Sequence, residues 1–165
     1  MIKNFHKYAN PHRFLDITEP LSKISGALSI IFLLVGTVLA LFFSPPDYQQ
    51  GETVRIMYIH VPAAWLSLLA YTFIFFMSAS YLIWKFPLFL IIAKEVTVIG
   101  LIFTIISITS GSLWGRPTWG TYWVWDARLT SFLILLFIYL GLVLINKAFS
   151  NSSKGDNSFA YLALI

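Results

Sequence analysis

With 165 residues, 58% of them hydrophobic and only 11% charged, the chain is no soluble globular domain, whose charged share runs at about 25%. It contains no cysteine, which excludes disulfides, thiolate metal sites and cysteine nucleophiles. The net charge of +4 is modest and scattered, so nothing points to nucleic acid. A mean hydropathy of +0.79 and an 18% aromatic content describe an integral membrane protein with an unusual need for flat side chains.

In chain order, residues 1–23 form a polar leader with Lys3, Lys7, Arg13, Lys23, His6 and His12; Leu15, Ile17, Glu19 and Pro20 predict a short amphipathic piece within it. No cleavable signal peptide is expected, because the first apolar run begins only near Ile24 and lacks a cleavage site. The first span is predicted over about 24–43, uncharged and of bilayer length, and Ser44-Pro45-Pro46-Asp47 stops it. The second runs over about 57–84, with His60 and Pro62 in its first turn, where a proline's missing N–H has no helical partner to lose. Leu88 to Ala93 is expected as an interfacial turn. The third span then covers about 93–113, with Lys94 and Glu95 as a pair at the membrane boundary. The fourth covers about 129–145. Asn151 to Ser158 is expected as a polar loop, and Phe159 to Ile165 as the opening of a fifth span. The fold expected is an all-α polytopic transmembrane helical bundle, a single membrane domain with four complete spans and the start of a fifth.

Basic residues set the orientation. The leader, Lys85 and Lys94, and Lys147 and Lys154 fall on one side, which is then cytoplasmic and holds the N-terminus. Arg55, Arg116 and Arg128 fall on the other side, together with His60 and the stretch from Trp114 to Ser131.

That stretch, WGRPTWGTYWVWDARLTS, holds four of the six tryptophans, broken by Gly115, Pro117 and Gly120. Irregular backbone cannot cross hydrocarbon with its polar groups unpaired, so an outer-face loop over 114–128 is expected, presenting a shelf of indoles. Trp114, Trp119, Trp123 and Trp125, with Arg116, Arg128 and His60 at the same depth, suit haem, an apolar disc with two carboxylates and an iron that accepts imidazole. Arginine pairs with carboxylates through a bidentate fork, and Gly111, Gly115 and Gly120 let backbone approach closely. A flavin, a quinone or a lipid headgroup fits the same features. Each residue also has a plainer role: tryptophans form interfacial belts, which is the reading for Trp65 and Trp84; His60 could serve as a helix-start hydrogen-bond donor. Arg116 and Arg128 could anchor to headgroups, and Asp126 could cap the fourth span. His6 and His12 are expected to be solvated.

WGRPTWGTYWVWDARLTS resembles the tryptophan-rich "WWD" signature of the haem-handling membrane proteins of cytochrome c biogenesis, and MYIHVPAAW, from Met57 to Trp65, resembles the segment around the first outer-face histidine of the haem exporter (CcmC) family. The resemblance implies a non-enzymatic haem-delivery protein of the bacterial inner membrane, carrying haem b transiently as cargo and presenting it to the chaperone CcmE. The implied partners are CcmE, the transporter components CcmA, CcmB and CcmD, and membrane lipid. It also implies that Trp114, Trp119, Trp123, Trp125 and Asp126 form the haem platform and that His60 is the iron ligand. Pairing of Arg116 or Arg128 with propionates follows from charge and place alone. The family has six spans and a second axial histidine, whereas no histidine follows His60 here; a chain shortened at its C-terminal end is expected, with the second ligand supplied from elsewhere. Two alternatives stand beside this reading: a component of a CcsA-like cytochrome c haem lyase, and a truncated remnant that only docks partners.

Overall fold

The computed structural model describes residues 11–149 and 152–165. The readings placed on Lys3, His6 and Lys7, on the side chains of His12, Arg13, Leu15 and Ile17, and on Asn151 lie outside what it describes. Every regular element among the described residues is helical: α1 (Pro11–Val38, closing in a π-turn over Leu39–Phe43), α2 (Val54–Trp84), α3 (Pro87–Trp119), α4 (Ala127–Ala148) and α5 (Ser153–Leu162). The first four are long and apolar enough to cross a membrane, and α5 is the expected short fifth element. The chain divides into two compact units, one ending at Pro45 and one running Pro46–Ile165.

In the first unit, α1 continues through Pro20, so the polar leader from Pro11 onward and the apolar span form one helix. Its apolar stretch, Thr18–Phe43, buries none of its side chains, which suits a helix solvated by lipid. Lys23 pairs with Glu19 at 2.7 Å on its polar part.

The second unit is built around the antiparallel pair α2 and α3. Lipid chains are as apolar as leucine, so packing within a bilayer favours small residues that let backbones approach. The buried face of α3 follows that rule with Ala93, Thr97, Gly100, Thr104, Ser107 and Ser110, and α2 meets it with Ala63, Ser67, Ile74 and Ser78. The hydroxyls on this face are mostly paired. Thr97 and Thr104 donate back to the carbonyls of Ala93 and Gly100 at 2.8 and 2.7 Å. With its proton so engaged, Thr104 accepts from Ser67 at 2.5 Å. Helix α4 is fastened across both: fully buried Tyr139 donates to the Ser67 carbonyl at 2.8 Å, lying directly against Gly100, where a Cβ would collide with the phenol.

Three local expectations are corrected. Leu88 to Ala93 is not a turn: α2 ends at Lys85, which takes a left-handed conformation (φ 53°), and Pro87 opens α3 as its first residue. Pro at that position needs no N–H and is already shaped for a helix. Lys94 and Glu95 consequently lie two turns inside α3. Pro62 sits well inside α2, since the helix begins at Val54. Asn151 to Ser158 is not a loop from Ser153 on: α5 is helical because Lys94 pairs with Asp156 at 2.7 Å and because Phe159, Ala160 and Ala163 pack against Ile74, Leu90, Tyr139 and Leu142. Tertiary contacts override a loop-like composition there.

Candidate functional site

At the end of this unit away from α5, the start of α2, the end of α3 and the start of α4 converge beneath two connecting segments. The first is a locked turn. Asp47 and Gly51 exchange backbone hydrogen bonds at 3.1 and 2.9 Å, while the Asp47 carboxylate accepts from the N–H groups of Gln49 and Gln50 at 2.9 and 2.8 Å. The turn holds Gln50 so that its Oε1 accepts from Trp114 Nε1 at 2.9 Å.

The tryptophan-rich stretch is not irregular from its start. Helix α3 runs on through Gly115, Arg116 and Pro117 to Trp119, so the expected loop over 114–128 shrinks to residues 120–126. Gly115 is buried; a side chain there would crowd the Trp119 ring at 3.2 Å and the Thr121 carbonyl at 3.3 Å, so packing favours the glycine that composition reads as a breaker. The helix stops at Gly120, whose positive φ of 78° suits glycine and whose N–H reaches the Arg116 carbonyl at 3.0 Å. Trp119 thus closes the helix, and Trp123 follows beyond the turn.

Asp126 starts α4. Its Oδ1 accepts from the Leu129 N–H at 2.9 Å, the geometry of an N-cap. Its Oδ2 accepts from Arg128 Nε and Nη2 at 3.0 and 2.7 Å. The Leu129 N–H first, and the Arg128 guanidinium after it, hold the Asp126 carboxyl below its ordinary value. So fixed, Arg128 lies over the Trp119 ring, 5.2 Å from its centroid. Trp114 and Trp119 meet edge to face at 5.2 Å, as do Trp123 and Trp125 at 5.4 Å.

These groups enclose a cavity of about 410 Å³, lined by Met57, His60, Val61, Ser107, Ile108, Gly111, Trp114, Trp119, Trp123, Arg128, Leu129 and Phe132. The volume lies within the range of small-molecule sites. Its lining is apolar save for a few convergent groups. His60 comes from α2, and its ring rests against Gly111 of α3: a Cβ on Gly111 would stand 2.9 Å from His60 Cε1. Its Nδ1 lies 3.0 Å from the Ser107 carbonyl and 3.2 Å from the Ser110 hydroxyl. Trp123 also lines the cavity, with its Nε1 buried and without a hydrogen-bond partner among the described residues. Among the described residues no group of three or more His, Asp or Glu could hold a metal ion.

Of the eight residues the sequence singled out, the structure gathers five around one cavity: His60, Trp114, Trp119, Trp123 and Arg128. Trp125 is 75% exposed and is not among the residues that line the cavity. Asp126 acts from behind as cap and partner of Arg128. Arg116 hydrogen-bonds to the Gly120 carbonyl and stacks on Tyr122, outside the cavity. The residues missed are Gln50, Met57, Ser107, Ser110 and Phe132. Met57 could have been found one helical turn before His60, and Ser107 one turn before Gly111 and two before Trp114; nothing in the sequence marks Gln50.

A family model described as heme exporter protein C matches residues 4–165. The chain is 45% identical over 157 residues to heme exporter protein C of Bradyrhizobium diazoefficiens, covering 95% of this chain and 59% of that protein. It is 40% identical over 164 residues to the protein of that name from Haemophilus influenzae, covering 99% and 67%, and 38% identical over 165 residues to that of Escherichia coli K12, covering 100% and 67%. The chain thus spans between about three fifths and two thirds of the length of these relatives.

Proposed function

The chain belongs to the heme exporter protein C family, and from that premise we propose that it binds haem in the cavity beneath His60 and hands it on for cytochrome c maturation. One observation carries this reading: an imidazole reaches a cavity walled by three indoles, with a guanidinium at its rim. Haem asks for those parts, since its iron accepts imidazole, its ring is a flat apolar disc and its propionates accept charge-assisted hydrogen bonds. The residues present fit. Trp123, whose Nε1 is buried without a partner among the described residues, a costly state, lines the same cavity. Of the two arginines, Arg128 is the one at the cavity, so it takes the propionate role in this reading and Arg116 does not.

The finer assignment follows from the same layout. Lys85 and Lys94 lie at the α5 end, where they meet Asn157 and Asp156, while Arg128 lies at the cavity end. The bias in basic residues supports reading the cavity end as the outer face of the bacterial inner membrane and the N-terminus as cytoplasmic. Exposed Trp125 and Tyr122 offer a surface on which CcmE could receive haem b, with CcmA, CcmB and CcmD completing the transporter. The work is binding and release, with no catalytic residue.

The test is haem content of the purified chain in detergent, by absorption spectrum. A Soret band is expected in wild type and is expected to shift or vanish in His60→Ala, with helix content unchanged. A folded wild type that takes up no haem overturns the reading.

A further inference from the structure

His60 is more constrained than its exposure suggests. The Ser107 carbonyl, 3.0 Å from Nδ1, can only accept. The Ser110 hydroxyl, 3.2 Å from Nδ1, has a single proton, and its shortest contact is to the Ile106 carbonyl at 2.6 Å; toward His60 it too is an acceptor. Two acceptors facing one ring nitrogen require that nitrogen to carry hydrogen. A lone pair on Nδ1 would face the Ser107 oxygen without a proton between them. Gly111 lets the ring lie close enough to α3 for both contacts, because a Cβ there would meet Cε1 at 2.9 Å.

We propose that the last turns of α3 hold His60 as its Nδ1–H tautomer, so that Nε2 meets the cavity as a lone pair, and that Ser110 is a positioning residue for this imidazole. The purpose given to the tautomer rests on the haem reading; the tautomer itself does not. A second acceptor on Nδ1–H also raises the donor strength of Nε2, as outer partners of ligating histidines do. That lowers the potential of an iron bound there.

Nitrogen-15 NMR of the full chain in detergent, free of haem and labelled at histidine, reads the tautomer directly, with the His60 signal assigned by its loss in His60→Ala. The expected result is a protonated Nδ1 and a bare Nε2 for His60, with the Nδ1 proton shifted in Ser110→Ala and restored in Ser110→Thr. Titration with ferric haem should then show affinity about fivefold weaker in Ser110→Ala and the midpoint potential of the complex raised, both recovered by Ser110→Thr. Protonated Nε2 in the wild type overturns the proposal, whether or not haem binds. So does a Ser110→Ala protein whose ring-nitrogen signals match the wild type. A chain with the expected tautomer and no Soret band would sink the haem reading and leave the tautomer standing.

Discussion

The two ends of the unit from Pro46 onward are made from the same parts and finished differently. At the α5 end, polar groups are met from within: Lys94 by Asp156, Lys85 by Asn157, and Phe159 is fully buried among its neighbours. At the other end, polar groups border a cavity. His60 lines the cavity, Trp123 Nε1 is buried and without a partner among the described residues, and Arg128 remains 72% exposed although held by Asp126. Unmet buried polar groups lower stability, and among the described residues Tyr71 Oη and Ser78 Oγ in the packed interior are without a partner as well as Trp123 Nε1; what sets the open end apart is its preformed cavity. The difference separates the scaffold of this fold from its site.

The middle layer should couple the two ends. Gly100→Ala drives a methyl group into Tyr139, which has no free space around it, and overpacking of this kind costs about 1–3 kcal/mol. The expected outcome is a lowered unfolding midpoint in detergent, with faster amide exchange at both α5 and the turn 120–126. Loosening confined to one end would break the comparison by making the ends independent. The next effect is local. Asp156→Ala leaves Lys94, only 19% exposed, without its counter-charge, and breaking a partly buried pair is unfavourable. Exchange in α5 should rise about tenfold, while haem uptake by the cavity end stays as in wild type. Loss of haem binding in that variant would mean that the closed end also shapes the site.

Much of this layout is legible in the sequence, for physical reasons that also explain the failures. Apolar runs of bilayer length have one way to satisfy their backbone, so four spans could be read directly, and the charge pattern brought His60 and the tryptophans to one end. The errors cluster where packing reverses local preference. Gly115 and Pro117 read as breakers, but Gly115 makes room for Trp119 and Pro117 lies in the final helical turn. Lys94 read as half of a boundary pair with Glu95, because its partner Asp156 is distant in sequence. Ser110 carries no signal of its own, and Ser107 only its helical spacing from Gly111 and Trp114; the approach of α2 to α3 makes both partners of His60.

A milder perturbation sharpens the open end. Gln50→Ala removes the acceptor of the Trp114 N–H without replacing any residue that lines the cavity. A neutral hydrogen bond contributes about 1 kcal/mol net, so haem affinity measured by titration should fall about fivefold or less. The Soret position should stay unchanged, because iron ligation is untouched. A shifted Soret band would mean that the turn 47–51 reaches further into the site than its one hydrogen bond suggests.

The smallest effect separates the two tasks of Asp126. One carboxylate oxygen caps α4 and the other holds Arg128 over Trp119. Both partners favour the ionised form and hold its acidity below the ordinary value. The stabilisation they give is therefore complete above the ordinary carboxylate range, about pH 4, and is lost as pH falls through the lower value of the folded state. Asp126→Asn keeps an oxygen for the Leu129 N–H and discards the charge, while Asp126→Ala discards both. The wild type should accordingly exceed Asp126→Asn in unfolding midpoint by a constant amount at neutral pH, with the gap closing below about pH 4; Asp126→Ala should be lower still at every pH. Because the guanidinium is mostly in solvent, screening keeps the charge contribution small, and added salt should shrink the gap between wild type and Asp126→Asn but not the gap between Asn and Ala. A gap that ignores both salt and acid would mean that Asp126 serves as a cap alone, and that stacking on Trp119, without the ion pair, keeps Arg128 at the rim of the cavity.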